Sequence, residues 1–330
     1  MNFINTGDFA DLYIKLRQRG TSYLRSKFSL SARNRTKNTF DISGITLAHW
    51  WIVPSVRARW NFLITGNAET DYETYFVNKY LAGKKDLRML SIGCGSGSHE
   101  FRFAEFENFI QIKGIDITSN LIRNASHRAG KSGIWHKLVF EIADVYQYDF
   151  SKSKYDVILF HSSLHHFSKI DRLLERVKTG LTENGLLLIN EYVGANRFQY
   201  PEHQMRAINS AIQTIPAQQR QIFNTSIIKK QFHKPGTLRM IINDPSEAVE
   251  SSRIAPLLRT HFKTLEEKPY GGNLLMPALK DISHHFLQDA ASPAGEAAKT
   301  VLQKLFFLED EFLKAGNESD YLFGVYQKAI

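Results

Sequence analysis

The sequence has one cysteine, Cys94, among 330 residues. A disulfide framework within the chain is therefore excluded, and so is a cysteine-rich zinc site. Long apolar runs are also missing. None approaches the roughly 20 residues a membrane-spanning helix needs. The first 30 residues lack the apolar stretch, roughly 7–15 residues long, of a secretory leader. Acidic residues are the scarcer sign, with 33 Asp and Glu against 42 Lys and Arg, a formal net charge of +9. What is present is 43% apolar and 12% aromatic residues, including 23 Phe. That composition supports a sizeable core and excludes wholesale disorder. The expectation is a soluble, cytoplasmic globular protein of one large domain or two modest ones.

The basic excess is uneven. Residues 1–60 hold ten basic side chains (among them Lys15, Arg17, Arg25, Arg35 and Arg57) against Asp8, Asp11 and Asp41. Residues 195–240 hold seven (Arg197, Arg206, Arg220, Lys229, Lys230, Lys234 and Arg239) against Glu202. Two separated segments thus carry the whole positive balance, and the remainder is mildly acidic. Such segments are either solvated faces or surfaces for an anionic substrate, partner or membrane.

The hydrophobic pattern changes along the chain. Phe9, Leu12, Tyr13, Leu16 and Tyr23 suggest a helix over 9–30. A tryptophan-rich stretch follows, with Trp50, Trp51 and Trp60 around Pro54, and a helix is expected from Tyr72 to near Gly83. From Arg88 short apolar runs alternate with amphipathic stretches. Strands are expected at 88–92, 110–116, 137–143, 155–161 and 186–192, with helices near 98–108, 118–130 and 170–180. The turn Thr182-Glu183-Asn184-Gly185 precedes the fifth strand. Alternation of this kind predicts a parallel sheet covered on both faces, with right-handed crossovers. Beyond Val193, Met205, Ile208, Ile212 and Ile215 recur at helical spacing. Asp244-Pro245-Ser246-Glu247 has the makings of a helix start. Two more strands, at 262–270 and 321–327, enclose a helix bearing Val301, Leu305 and Phe312.

The first strand runs into Gly93-Cys94-Gly95-Ser96-Gly97-Ser98. Glycines at a strand-to-helix turn let a ligand approach the backbone, and the helix beyond offers free N–H groups. A dinucleotide fingerprint would place its third glycine at position 98, where Ser98 stands.

The stretches LSIGCGSGS (90–98), GIDIT (114–118), ADV (143–145), YDVILFHSSLHHF (155–167) and LTENGLLLINEYV (181–193) together resemble the class I S-adenosylmethionine-dependent methyltransferases. The resemblance covers 88–193 well and the last two strands more loosely. It implies an α/β, Rossmann-like, doubly wound seven-stranded sheet, mostly parallel with an antiparallel last strand. An N-terminal helical cap would occupy 1–83, the cofactor domain 84–193 and 261–330, and a helical lid 194–260. By the same resemblance Gly93, Cys94, Gly95 and Gly97 would line the methionine part of S-adenosyl-L-methionine. Asp116 would hold the ribose hydroxyls, with Ile117 on the adenine. Asp144 would accept from the adenine amino group, with Val145 beside it. His161 and Ser162 would lie near the methionine part. One position departs from the family: Ser91 stands two residues before the first glycine, where an acid is usual.

Methyl transfer from a sulfonium is an in-line displacement, so alignment and exclusion of water come first. An oxygen acceptor also needs a base. Candidates lie at the carboxyl ends of strands four and five, where open α/β sheets bind ligands: His166 first, then Glu191, with His165 and Tyr192. No metal is expected, since the pair His284-His285 lacks a third ligand nearby. The expected acceptor is a small molecule or glycan, anionic or carried on an acidic partner, and methylated on oxygen. Nucleic acid is disfavoured, because His161-Ser162-Ser163-Leu164 replaces the motif of amino-methylating DNA and RNA enzymes. A peripheral membrane contact through the N-terminal helix stays open. So do an NAD(P)-dependent oxidoreductase and a cofactor-binding relative without turnover.

Overall fold

The computed structural model describes residues 7–8, 13–14, 49–287 and 292–328. The expected helix over 9–30 and most of the N-terminal basic segment lie outside the described residues. The strands are β1 (Leu87–Ile92), β2 (Phe109–Asp116), β3 (Leu138–Ile142), β4 (Tyr155–His161), β5 (Leu181–Tyr192), β6 (Phe262–Gly271) and β7 (Tyr321–Lys328). The α-helices are α1 (Pro54–Thr65), α2 (Tyr72–Tyr80), α3 (Ser98–Ala104), α4 (Ser119–Lys131), α5 (Ile170–Gly180), α6 (Glu202–Gln213), α7 (Thr237–Asn243), α8 (Ile254–His261), α9 (Leu275–Leu279) and α10 (Pro293–Lys314).

The seven strands form one sheet in the order β3-β2-β1-β4-β5-β7-β6. Six run parallel and the last is antiparallel, as expected. Strand order reverses between β1 and β4, so the carboxyl ends of these two strands open a crevice. The central strands carry apolar residues on both faces: Met89, Leu90 and Ile92 on β1, and Val157, Ile158, Leu159 and Phe160 on β4, are all buried. Such continuous apolar runs suit a sheet sandwiched between helices. α5 and α8 cover it with Leu173, Leu174, Val177, Ile254 and Leu258, which pack into the same core as Phe160 and Leu187.

Two expectations are corrected in their detail. Thr182 to Gly185 does not separate β5 from the preceding helix. It lies inside β5, where the register against β4 jumps from Tyr155 opposite Leu181 to Val157 opposite Leu186. The turn is looped out as an irregularity of one strand. Asp244-Pro245-Ser246-Glu247 does not start a helix either. Asp244 Oδ1 accepts from the Ser246 N–H at 2.9 Å and the Ser246 hydroxyl at 2.6 Å. The Arg197 guanidinium takes the carbonyls of Asp244, Pro245 and Glu247 at 2.6–3.3 Å. These bonds hold 244–247 as a turn rather than the first turn of a helix.

The chain divides into two compact units, cut elsewhere than expected. One comprises Thr70–Val193, Ala248–Pro269 and Leu322–Ile330; the other comprises Met1–Glu69, Gly194–Glu247 and Tyr270–Tyr321. α2 belongs with the sheet because Tyr75, Lys79 and Tyr80 all bond to Glu266 of β6, at 2.8–3.1 Å. Residues 270–321 group instead with the helical unit. There Trp50 packs against Trp60 and Tyr321, and Trp60 against Tyr270, at ring separations of 4.5–5.7 Å. Trp50 is thus core, while Trp51 is exposed and stacks on His49. α6, α9 and α10 supply most of the rest of that unit's core.

Candidate functional site

The glycine loop leaves β1 and enters α3. Gly93, Gly95 and Gly97 all have left-handed φ, at 73°, 56° and 81°. Two of them differ instructively. A Cβ on Gly93 would lie 2.6 Å from the Cβ of Ser163, so this glycine lets the turn after β4 close onto the loop. A Cβ on Gly95 would meet no heavy atom within 4 Å. Gly95 therefore faces open space, a cradle that a ligand can fill. The Cys94 thiol sits beside the loop, and burial, with Glu100 and Asp116 nearby, holds its pKa well above the usual thiol value. It is a packed thiol, not a nucleophile.

Asp116 ends β2 and ties the loop in place. Its Oδ2 accepts from the Gly95 N–H at 3.0 Å and its Oδ1 from Thr118 at 2.7 Å. Each carboxylate oxygen has a further acceptor site, so these bonds leave capacity for hydroxyl donors. Ile117 beside it is half-buried. Asp144 closes a tight turn after β3, its Oδ1 accepting from Tyr146 N–H at 3.0 Å, and Val145 is buried beneath it. The loops after β1, β2 and β3 thus present Gly95, Asp116 and Asp144 along one end of the sheet.

The turn after β4 is held by Glu191 of β5. This carboxylate is fully buried, and its Oε1 accepts from the backbone N–H of Ser163 and, at 2.6 Å, of Leu164. Its Oε2 accepts from His165 Nδ1 at 2.7 Å. Both oxygens of Glu191 are therefore engaged, and its geometry is that of an anchor for the turn and for the His165 ring. Ser163 completes the fastening by donating its hydroxyl to the Ile92 carbonyl at 2.7 Å. Ser162, exposed, adopts φ 46°, a conformation unusual outside glycine. The His166 ring lies 4.2 Å from that of His165, and Tyr192 is buried with its ring edge toward His165.

Sequence reasoning missed a second cluster. Glu73 of α2, with its side chain only 6% exposed, bonds His99 Nδ1 of α3 at 2.6 Å. Tyr72 of α2 bridges His99 Nδ1 at 3.2 Å and His161 Nδ1 at 2.9 Å, and the two imidazoles lie 3.4 Å apart. His99 donates from Nδ1 to the Glu73 carboxylate, and the Tyr72 hydroxyl links the two rings. Burial, with His99 and His165 nearby, pushes the His161 pKa well down, which favours the neutral ring. His99 goes the other way: Glu73, helped by Glu100 and Asp71, outweighs burial and raises its pKa. Glu100 is buried with one orphaned oxygen, Oε2. Burial raises its carboxyl pKa against the opposing hydrogen bond from Ser91, the residue at the usual acid's position. The only sequence signal for this cluster was a histidine following the glycine loop.

Much of the basic segment 195–240 is used internally. Lys229 is buried and donates to the carbonyls of Pro277, Ala278 and Lys280 at 2.7–3.0 Å. Arg239 pairs with Asp8 at 2.8 Å. Arg197 holds the 244–247 turn described above. Arg206 and Lys230 remain exposed. Among the described residues no helix is long and apolar enough to cross a membrane.

A doubly wound sheet, a glycine loop after β1 and acids ending the next two strands define a Rossmann-like nucleotide-binding protein. A family model described as "Methyltransferase domain" matches residues 83–259. Because that match covers more than half of the chain, the protein belongs to the methyltransferase-domain family. A 27-O-demethylrifamycin SV methyltransferase of Amycolatopsis mediterranei is 29% identical over 131 residues, 38% of this chain and 48% of that protein. A sterol 24-C-methyltransferase of Neurospora crassa is 25% identical over 139 residues, 42% of this chain and 36% of that protein. The chain thus spans half or less of these relatives' length. A Haemonchus contortus phosphoethanolamine N-methyltransferase 2, solved with S-adenosyl-L-methionine, superposes with a TM-score of 0.51 at 15% identity. That superposition covers 92% of this chain and 61% of that one, and it shows a shared fold.

The site fits the family's cofactor, S-adenosyl-L-methionine. Gly95 faces open space beside the loop, Asp116 keeps acceptor capacity, and Glu100 Oε2 is a buried oxygen without a hydrogen-bond partner.

Proposed function

We propose that the chain is an S-adenosyl-L-methionine-dependent methyltransferase acting on an oxygen atom of a small-molecule or glycan-type acceptor. The observation that carries this reading is the pairing of the open glycine cradle with a carboxylate–imidazole pair, Glu191 and His165, fastened to the same loop through Ser163.

The cofactor supplies a methyl group on a positively charged sulfur. Gly93, Cys94, Gly95 and Gly97 hold its methionine end, Asp116 its ribose, Ile117 and Val145 its adenine face and Asp144 its adenine amino group. His161 and Ser162 close the loop side. His165 is the base in preference to His166. Glu191 holds the proton on Nδ1 of His165 and so fixes the orientation of the imidazole that serves as base. Glu191 orients this base and is not itself one. Tyr192 packs behind the His165 ring. A base suits oxygen chemistry, and the name of the rifamycin relative specifies an oxygen, whereas that of the sterol relative specifies a carbon.

The acceptor, or its carrier, is anionic in this reading. Support now rests on the exposed Arg206 and Lys230 rather than on the whole basic segment. Replacing both with alanine raises KM for the acceptor about 5-fold or more and leaves cofactor affinity alone; unchanged kinetics would remove the anionic acceptor.

The experiment for the reading as a whole is a thermal-shift titration with S-adenosylmethionine, S-adenosylhomocysteine, NAD and NADP. At 100 times Kd a ligand adds about 2.7 kcal/mol of stability. A shift with the two sulfur nucleosides alone is expected. A shift with a nicotinamide nucleotide, or none with any of the four, overturns the proposal.

A further inference from the structure

The mechanism above leaves the Glu73–His99 pair unused. Glu73 is buried while the His99 side chain is 33% exposed, so the pair has a hidden acidic end and an accessible basic one. Nδ1 of His99 is occupied by Glu73 and Tyr72. Both bonds are made at Nδ1, and among the described residues none bonds Nε2, which leaves an N–H donor at the ring's far side. His99 is the second residue of α3, two positions beyond Gly97, and its ring lies 3.4 Å from that of His161 at the end of β4. It therefore stands just after the glycine loop and beside His161, the residue that the proposed function sets near the cofactor's methionine end.

A histidine held by a buried carboxylate favours the charged ring. Glu73, Glu100 and Asp71 all act in that direction on His99. A ring biased toward its charged form is the weaker base and the better anion receptor. The ligand matching such a site is a carboxylate. The one expected there, on the cofactor placement given under the proposed function, belongs to the cofactor's amino-acid end. We propose that His99, held by Glu73, is the receptor for the carboxylate of that end. Tyr72 is then a positioning residue that fixes both the His99 and His161 rings.

The test is binding, with no turnover needed. Isothermal titration would compare S-adenosylhomocysteine with its decarboxylated analogue, 5′-deoxy-5′-(3-aminopropylthio)adenosine, for the wild-type protein, His99→Gln and Glu73→Gln. The wild type is expected to prefer S-adenosylhomocysteine. His99→Gln should weaken S-adenosylhomocysteine about 10- to 100-fold, the range of a charge-assisted hydrogen bond, and leave the analogue's affinity unchanged. Glu73→Gln should show the same selective loss to a smaller degree. If His99→Gln weakens both ligands equally, His99 only shapes the loop and the inference falls. If it weakens neither but raises KM for the acceptor, the carboxylate is the acceptor's and the inference falls as well. Should the wild type bind neither ligand, the cofactor reading itself has failed and takes this one with it. His99→Asn and circular dichroism of each variant separate lost binding from lost folding.

Discussion

Gly93 and Gly95 are two residues apart, yet alanine has different consequences at each. At Gly93 the new methyl group collides with Ser163 in a left-handed backbone, so Gly93→Ala should cost roughly 2–4 kcal/mol of stability. At Gly95 it meets nothing, and only the left-handed strain remains, about 1–2 kcal/mol. Gly95→Ala should therefore fold and lose affinity for S-adenosylhomocysteine, while Gly93→Ala should melt earlier. Chemical denaturation beside a binding titration distinguishes them, and equal stability losses would contradict the contacts described. Glu191→Gln tests the anchor in the same way. It removes a charge that accepts from Ser163, Leu164 and His165, and should cost about 2–3 kcal/mol together with a large drop in kcat. The glycines and Asp116 were legible because each is fixed by a local turn. The Glu73–His99 pair was not, because its partners are 26 residues apart and no spacing rule joins one helix's first turn to another's.

At the scale of elements, all seven strands were legible to within a few residues, apart from the start of β5. Their apolar runs are continuous, and a sheet buried on both faces leaves few other ways to hide Val157-Ile158-Leu159-Phe160. Local turn signals were less dependable, since partners distant in sequence decide their outcome. The residues around Asp244 carry helix-start chemistry, but Arg197, 47 residues away, bonds their carbonyls and holds them in a turn. Arg197→Met leaves three carbonyls without that donor and should cost about 2–4 kcal/mol. Protease cleavage within 244–248 should become faster than in the wild type. Unaltered cleavage there would mean the turn holds without its arginine.

Across the whole molecule, stability should depend on pH through the helical unit. Asp320 is buried, accepts from Gln204 at 2.8 Å, and has its pKa pushed up to about 7 by burial. The folded state then binds this proton more tightly than the unfolded one. Stability is therefore lost as pH rises from about 4 to about 7 and stays level above, by up to about 4 kcal/mol. Asp320→Asn should raise Tm at pH 8 by several degrees and leave it unchanged at pH 4; no gain at pH 8 would rule out the buried carboxyl as the cause. The order of the sheet bears on how the protein is made. β7 follows β6 in sequence, yet it lies between β5 and β6. A chain halted between residues 272 and 320 therefore carries a slot with a bare strand edge on each side, inviting a strand from a neighbouring chain. The sheet is sealed only once β7 has been made, so until then the β5 and β6 edges are the surfaces that a chaperone would have to cover.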